Sequence, residues 1–65
     1  MAQINFPLKA ELIRRWGSQI EASHALGIRE ATLSKIVRGY LQPSYRNRKA
    51  LERGLGQTLV RKLLG

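Results

Sequence analysis

Gln19 to Arg38 reads QIEASHALGIREATLSKIVR, and this stretch decides the fold. Ser18-Gln19-Ile20-Glu21 forms a capping box: the Ser18 hydroxyl can accept from the Glu21 N–H, and Glu21 can reach back to Ser18. A helix therefore starts at Gln19, with Ala22, Ala25 and Leu26 on a narrow inner face. Gly27 supplies the left-handed residue that ends it near Leu26. A second helical pattern runs from about Glu30 to Arg38, with Leu33, Ile36 and Val37 inward, and Gly39 stops it. Ser23 is small, so the two helices can cross closely, with Leu26, Ile28, Leu33 and Ile36 filling the space between them. A larger residue at position 23, or a Cβ at position 27, is expected to change the crossing angle.

The flanks continue the same pattern. Pro7 suits a first helical turn, where its missing N–H costs nothing, and a helix is predicted from about Pro7 to Trp16. Leu8, Leu12, Ile13 and Trp16 fall on one face, so Trp16 reads as core rather than as a platform for stacking bases. His24 projects from the polar side of the second helix and reads as solvated. After the loop Tyr40-Leu41-Gln42-Pro43, Ser44 caps a fourth helix with Ala50, Leu51 and Leu55 inward. Gly54 weakens its last turn and Gly56 ends it. A fifth helix follows from about Gln57 to Leu64, with Leu59, Val60, Leu63 and Leu64 apolar. No stretch alternates as a strand does. The expected architecture is all-α, five short helices in one domain over residues 1–65.

Composition narrows the function. The chain has 65 residues, 43% of them hydrophobic, which argues against disorder. It has no Cys and one His, so neither a disulfide nor a zinc site is expected to stabilise it, and no cofactor or metal is expected. No apolar run approaches the roughly 20 residues of a membrane span. The start, MAQINFPLKAEL, does not read as a signal peptide, so a cytoplasmic, nucleoid-associated protein is expected. Twelve basic residues against four acidic give +8, an imbalance that points to a polyanionic partner. Residues 1–33 carry four basic and three acidic residues, whereas residues 34–65 carry eight basic and one acidic. No carboxylate pair, Ser/His/Asp set or phosphate loop appears, which argues against an enzyme.

Two short helices joined by a tight turn containing Gly have the plan of the DNA-binding helix-turn-helix. The residues also resemble a known family, the Cro/repressor-type helix-turn-helix regulators of phages and bacteria, whose fold is lambda-repressor-like. The matching pieces are W-G-S-Q, A-L-G-I, T-L-S-K-I and R-G, then P-S, R, L and L-G, over roughly residues 8 to 56. The resemblance implies that the third helix is the recognition helix. Its outward residues would be Arg29, Glu30, Ala31, Ser34, Lys35 and Arg38, the positions left once Leu33, Ile36 and Val37 are buried. Arg29 or Lys35 can donate to guanine, Glu30 can accept from cytosine or orient Arg29, and Ala31 can touch a thymine methyl. By the same resemblance Gln19, beside Ser18, bonds the DNA backbone and braces the recognition helix. Tyr40, Gln42, Ser44, Tyr45, Arg46, Arg48 and Lys49 would lie over phosphates, a role that positions without reading sequence.

Two positions depart from the family. Arg29 stands where a capping Ser or Thr is usual, which opposes the helix dipole and costs roughly 0.5–2 kcal/mol. Val37 replaces a frequent Glu before the R-G, so any ion pair made by that Glu is lost and Val37 joins the core.

The expected function is sequence-specific binding of double-stranded DNA as a transcriptional regulator, a repressor by preference. The alternative is an antitoxin, for which a toxin protein is a second partner. A membrane-active peptide would need longer uninterrupted amphipathic helices, and the aromatic motifs of RNA binders are absent. One recognition helix reads too few base pairs to select an operator. A homodimer on an inverted repeat is therefore expected, at least on DNA. Leu59 and Leu63, with Val60 and Leu64, form two apolar rows at its interface, with Leu55 or Leu41 nearby.

Overall fold

The computed structural model describes residues 3–65, so positions 1 and 2 of the expected domain lie outside the described residues. Five helices, and no strand among the described residues, follow one another: α1 (Phe6–Trp16), α2 (Gln19–Leu26), α3 (Glu30–Val37), α4 (Tyr45–Leu55) and α5 (Gln57–Leu64). α1 begins one residue before Pro7 because Asn5 caps it, its Oδ1 accepting from the Leu8 N–H at 3.1 Å. α3 ends at Val37, with Arg38 as its cap residue.

α2 occupies the centre and packs against α1, α3 and α4, while α5 packs on α4. One core results. Leu8 and Leu12 from α1, Ala22 and Leu26 from α2, and Leu33, Ile36 and Val37 from α3 meet Ala50, Leu51 and Leu55 from α4. Ile28 enters it from the turn and Val60 from α5. Trp16, Leu59, Leu63 and Leu64 pack against its edge.

The structure corrects several expectations. Ile13 is 42% exposed, because α1 turns its Leu8–Leu12 row to the core and carries Ile13 past it. Ala25 is exposed too. The inner face of α2 is instead Ala22, Ser23 and Leu26. Ser23 tolerates burial because its Oγ donates to the Ile20 carbonyl at 2.6 Å, so no polar atom is orphaned. The Ser18 cap is one-sided: its Oγ accepts from the Glu21 N–H at 3.1 Å, with no return bond from the Glu21 carboxylate among the described residues.

Gly27 is the left-handed residue expected at the end of α2, but close approach occurs at Gly54 instead. At Gly27 a Cβ would meet nothing within 4 Å, so space does not set the crossing there. The constraint is its φ of 71°, a conformation that side chains rarely adopt. Gly54 does more than weaken α4. A Cβ there would overlap Leu26 and lie 3.0 Å from the Trp16 ring. The bare backbone at Gly54 is what lets α4 close on α1 and α2.

Candidate nucleic-acid interface

Ser18, Gly27 and the core fix where α3 points. Leu33, Ile36 and Val37 anchor its inner side. Its other side carries Arg29, Glu30, Ala31 and Lys35, all exposed, and Ser34, half-buried. Arg29 occupies the N-cap position with extended ψ of 139° and no side-chain cap bond, so the first N–H groups of α3 have no side-chain partner. Glu30 follows in the first turn, where a carboxylate offsets part of the opposing charge.

Glu30, Ser34 and Arg38 lie four residues apart and form one stripe along α3. They line a cleft of about 390 Å³ together with Gln19 from α2, Lys9 from α1, and Ile4 and Val37. Gln19, Ser34 and Arg38 are thereby brought to one place from two helices and the turn after α3. Ala31 and Lys35 form the adjacent stripe, outside this cleft. Lys9 is the residue that sequence reasoning missed. Its helix-wheel position marks it only as exposed; its approach to Gln19 depends on how α1 crosses the motif, which no local pattern encodes.

The second basic group divides. Arg48 turns inward to Glu52 (3.6 Å) and donates to the Gly65 carbonyl at 2.6 Å. Lys49 also faces Glu52 at 3.6 Å and lies 5.5 Å over the Tyr45 ring. Both are therefore partly committed within the chain. Arg46 makes no ion pair among the described residues and stands exposed in the first turn of α4. Ser44 caps that helix, its Oγ accepting from the Asn47 N–H at 3.2 Å. Tyr40 and Tyr45 are 71% and 78% exposed, with phenol groups open to solvent, and Gln42 is exposed beside them.

Part of the charge is neutralised within the chain. Glu11 accepts from Arg14 at 2.7 Å and Arg15 at 3.1 Å, which holds its carboxyl below the usual range and raises the Arg14 guanidinium. Glu52 is shared by Arg48 and Lys49. Arg29, Lys35, Arg38 and Arg46 have no carboxylate within ion-pair distance among the described residues, so their charge is available to a polyanion. The described residues hold no cluster of groups suited to a metal ion. No helix among them is long and apolar enough to cross a membrane.

Of the apolar residues of α5, Leu59, Leu63 and Leu64 are half-buried at the edge of the core. Val60 is fully buried within the chain, which removes it from any surface. α5 lies over α4 and rotates this position inward; Leu55, also buried, goes with it, while Leu41 is 42% exposed.

A bihelical unit of two eight-residue helices, joined through a left-handed Gly and displaying a basic outer face, defines a helix-turn-helix DNA-binding domain. The sequence model of the helix-turn-helix family matches residues 8–61, and the chain belongs to that family, in its Cro/repressor type. It is a DNA-binding regulator whose partner is double-stranded DNA. No significant match was found among curated proteins or among solved structures.

Proposed function

We propose that the protein is a sequence-specific transcriptional repressor that reads the major groove with α3. The supporting observation is the stripe of Glu30, Ser34 and Arg38 joined to Gln19 and Lys9 in one cleft, beside an exposed Arg29 and Lys35. Arg29, Glu30, Ala31, Ser34 and Lys35 read base edges. Gln19, Ser18, Lys9 and Arg38 hold phosphates on one side of the groove; Tyr40, Ser44, Tyr45 and Arg46 hold them on the other.

The operator is an inverted repeat bound by two copies. The longest dimension of the chain is 29 Å, shorter than the roughly 34 Å between successive half-sites on one face of DNA. One chain thus offers one recognition helix per turn. The partner copy is held through Leu59, Leu63 and Leu64 at the edge of α5, with Leu41 nearby.

Selection of bound duplexes from random DNA tests the reading. The expected product is a palindromic site whose affinity falls with salt at a log–log slope of about −0.9 per phosphate neutralised. Binding unaffected by salt, or a selected pool without any shared sequence, would refute it. Sedimentation of the complex counts the copies: one chain per duplex on a site lacking dyad symmetry rules out the dimer.

A further inference from the structure

The N-terminal segment before α1 joins two helix ends that are remote in sequence. The Asn5 N–H donates to the Val37 carbonyl at 2.7 Å, at the last residue of α3. The Asn5 Nδ2 donates to the Leu63 carbonyl at 2.9 Å, near the end of α5 and 58 residues away. Its Oδ1 meanwhile accepts from the Leu8 N–H and starts α1. One residue thus ties the end of α3, the start of α1 and the end of α5. The contact with the turn after α3 is close: a Cβ at Gly39 would lie 2.6 Å from the Gln3 carbonyl oxygen.

α3 has a weak start, since no side chain caps it at Arg29. Its axial position is therefore set by its inner residues and by what holds its C-terminal end. That end is held by the Asn5 backbone, and the Asn5 backbone is held by its side chain on α5. We infer that Asn5 is a positioning residue for DNA recognition: its carboxamide fixes the end of α3 relative to α5, and so sets how α3 is presented to DNA. The inference rests on the reading of α3 as the recognition helix.

The two hydrogen bonds of the carboxamide can be separated. Asn5→Ser keeps an N-cap acceptor for α1 but is too short to reach Leu63, and it adds no charge. Asn5→Asp keeps the cap, and its carboxylate has no N–H to donate to the carbonyl. Asn5→Ala removes both functions and serves as the control for lost stability. The measurements are affinity for the selected operator and for a scrambled duplex of equal length, thermal midpoint, and amide hydrogen exchange.

In Asn5→Ser the midpoint is expected to fall by a few degrees, for the lost bond to Leu63 alone, and in Asn5→Ala by more, since the cap of α1 goes as well. Scrambled-duplex binding stays unchanged, operator affinity falls about tenfold, the worth of one hydrogen bond, and exchange at Arg38, Gly39 and Tyr40 quickens by a similar factor while that of α1 does not. Asn5→Asp should show the same loss of preference for the operator over the scrambled duplex. Operator binding equal to that of the parent in both variants overturns the proposal. So does an equal loss on both duplexes in Asn5→Ser, which would make Asn5 a backbone contact or a purely structural residue. Arg29→Ala and Lys35→Ala, measured alongside, separate the two readings. If they leave base preference intact, the recognition-helix reading falls and takes this proposal with it. If they alter it and Asn5→Ser does not, only the role of Asn5 is refuted.

Discussion

α2 and α3 are adjacent and equally long, with eight residues each, but they are stabilised differently. α2 has a side-chain cap at its start, a left-handed Gly at its end, and an inner face of small residues that lets it sit at the centre. α3 has no side-chain cap, an Arg at its N-cap position, and three large residues in the core. α2 is marked at both ends by local signals and held in place by packing on three neighbours. α3 is held from its inner face, which leaves its outer face and its first turn open to other uses. The difference shows where this domain concentrates its stability and where it gives some up for contact.

The largest expected effect breaks the inner hold of α3. Leu33 is fully buried, and Leu33→Ala should cost about 2–5 kcal/mol, enough to unfold most of a domain this small. Urea denaturation followed by circular dichroism checks it. Ile20→Ala on the exposed side of α2 should change stability by less than about 0.5 kcal/mol. Equal losses at the two positions would mean that α3 is not the core-held helix.

Base reading comes next. Arg29→Ala or Lys35→Ala should cost about 1–3 kcal/mol on the preferred operator and relax base preference, while Gln19→Ala and Arg46→Ala weaken all duplexes alike. Quantitative gel shifts over a set of single-base operator variants decide it. A change of preference in Arg46→Ala with none in the α3 variants would reverse the assignment.

Caps give the sharpest test of the contrast. Ser18→Ala should destabilise by roughly 1 kcal/mol, a drop of about 4–8 °C in thermal midpoint. Arg29→Ser should move the other way, raising the midpoint by several degrees through a new cap while lowering operator affinity. A variant that lost stability along with affinity would show that Arg29 supports the fold.

The smallest effect concerns Glu11. Its carboxyl is held below the usual range by Arg14 and Arg15, so the native state favours the ionised form. That contribution is present at neutral pH, above the unfolded value, and disappears as pH falls through the lowered folded value. Glu11→Gln should therefore melt slightly below the parent at pH 7 and match it in strong acid. High salt should narrow the neutral-pH gap, since the pairs are solvent-exposed.

Much of this was legible because the signals are local. Ser18, Ser44, Gly27 and Gly56 mark helix ends, and Leu33, Ile36, Leu51 and Leu55 repeat at helical spacing. The misses fall where a decision depends on a second element. Periodicity could not tell Ala25 from Ser23, since burial of Ser23 depends on its hydroxyl finding the Ile20 carbonyl. Ile13 and Val60 were misplaced by the small rotation that packing gives α1 and α5. Asn5 and Gly54 owe their importance to residues far along the chain, Leu63 and Trp16 among them, and no window of sequence contains both partners; Lys9 and Gln19 are near in sequence but on different helices, so their approach depends on how α1 crosses α2. For the candidate interface, the outward face of α3 could be derived by elimination, but not the division of the cations near the start of α4 into Arg46, with no ion pair among the described residues, and Arg48 and Lys49, which are engaged.

The close approach at Gly54 also supplies a spectroscopic handle. The chain has a single tryptophan, Trp16, and it packs where α1, α2 and α4 converge, outside the cleft that gathers Lys9, Gln19 and Arg38. Its emission is thus a native probe of helix assembly that binding at α3 need not perturb. Stability can be followed by fluorescence at nanomolar protein, with or without duplex present, and no dye or label is required.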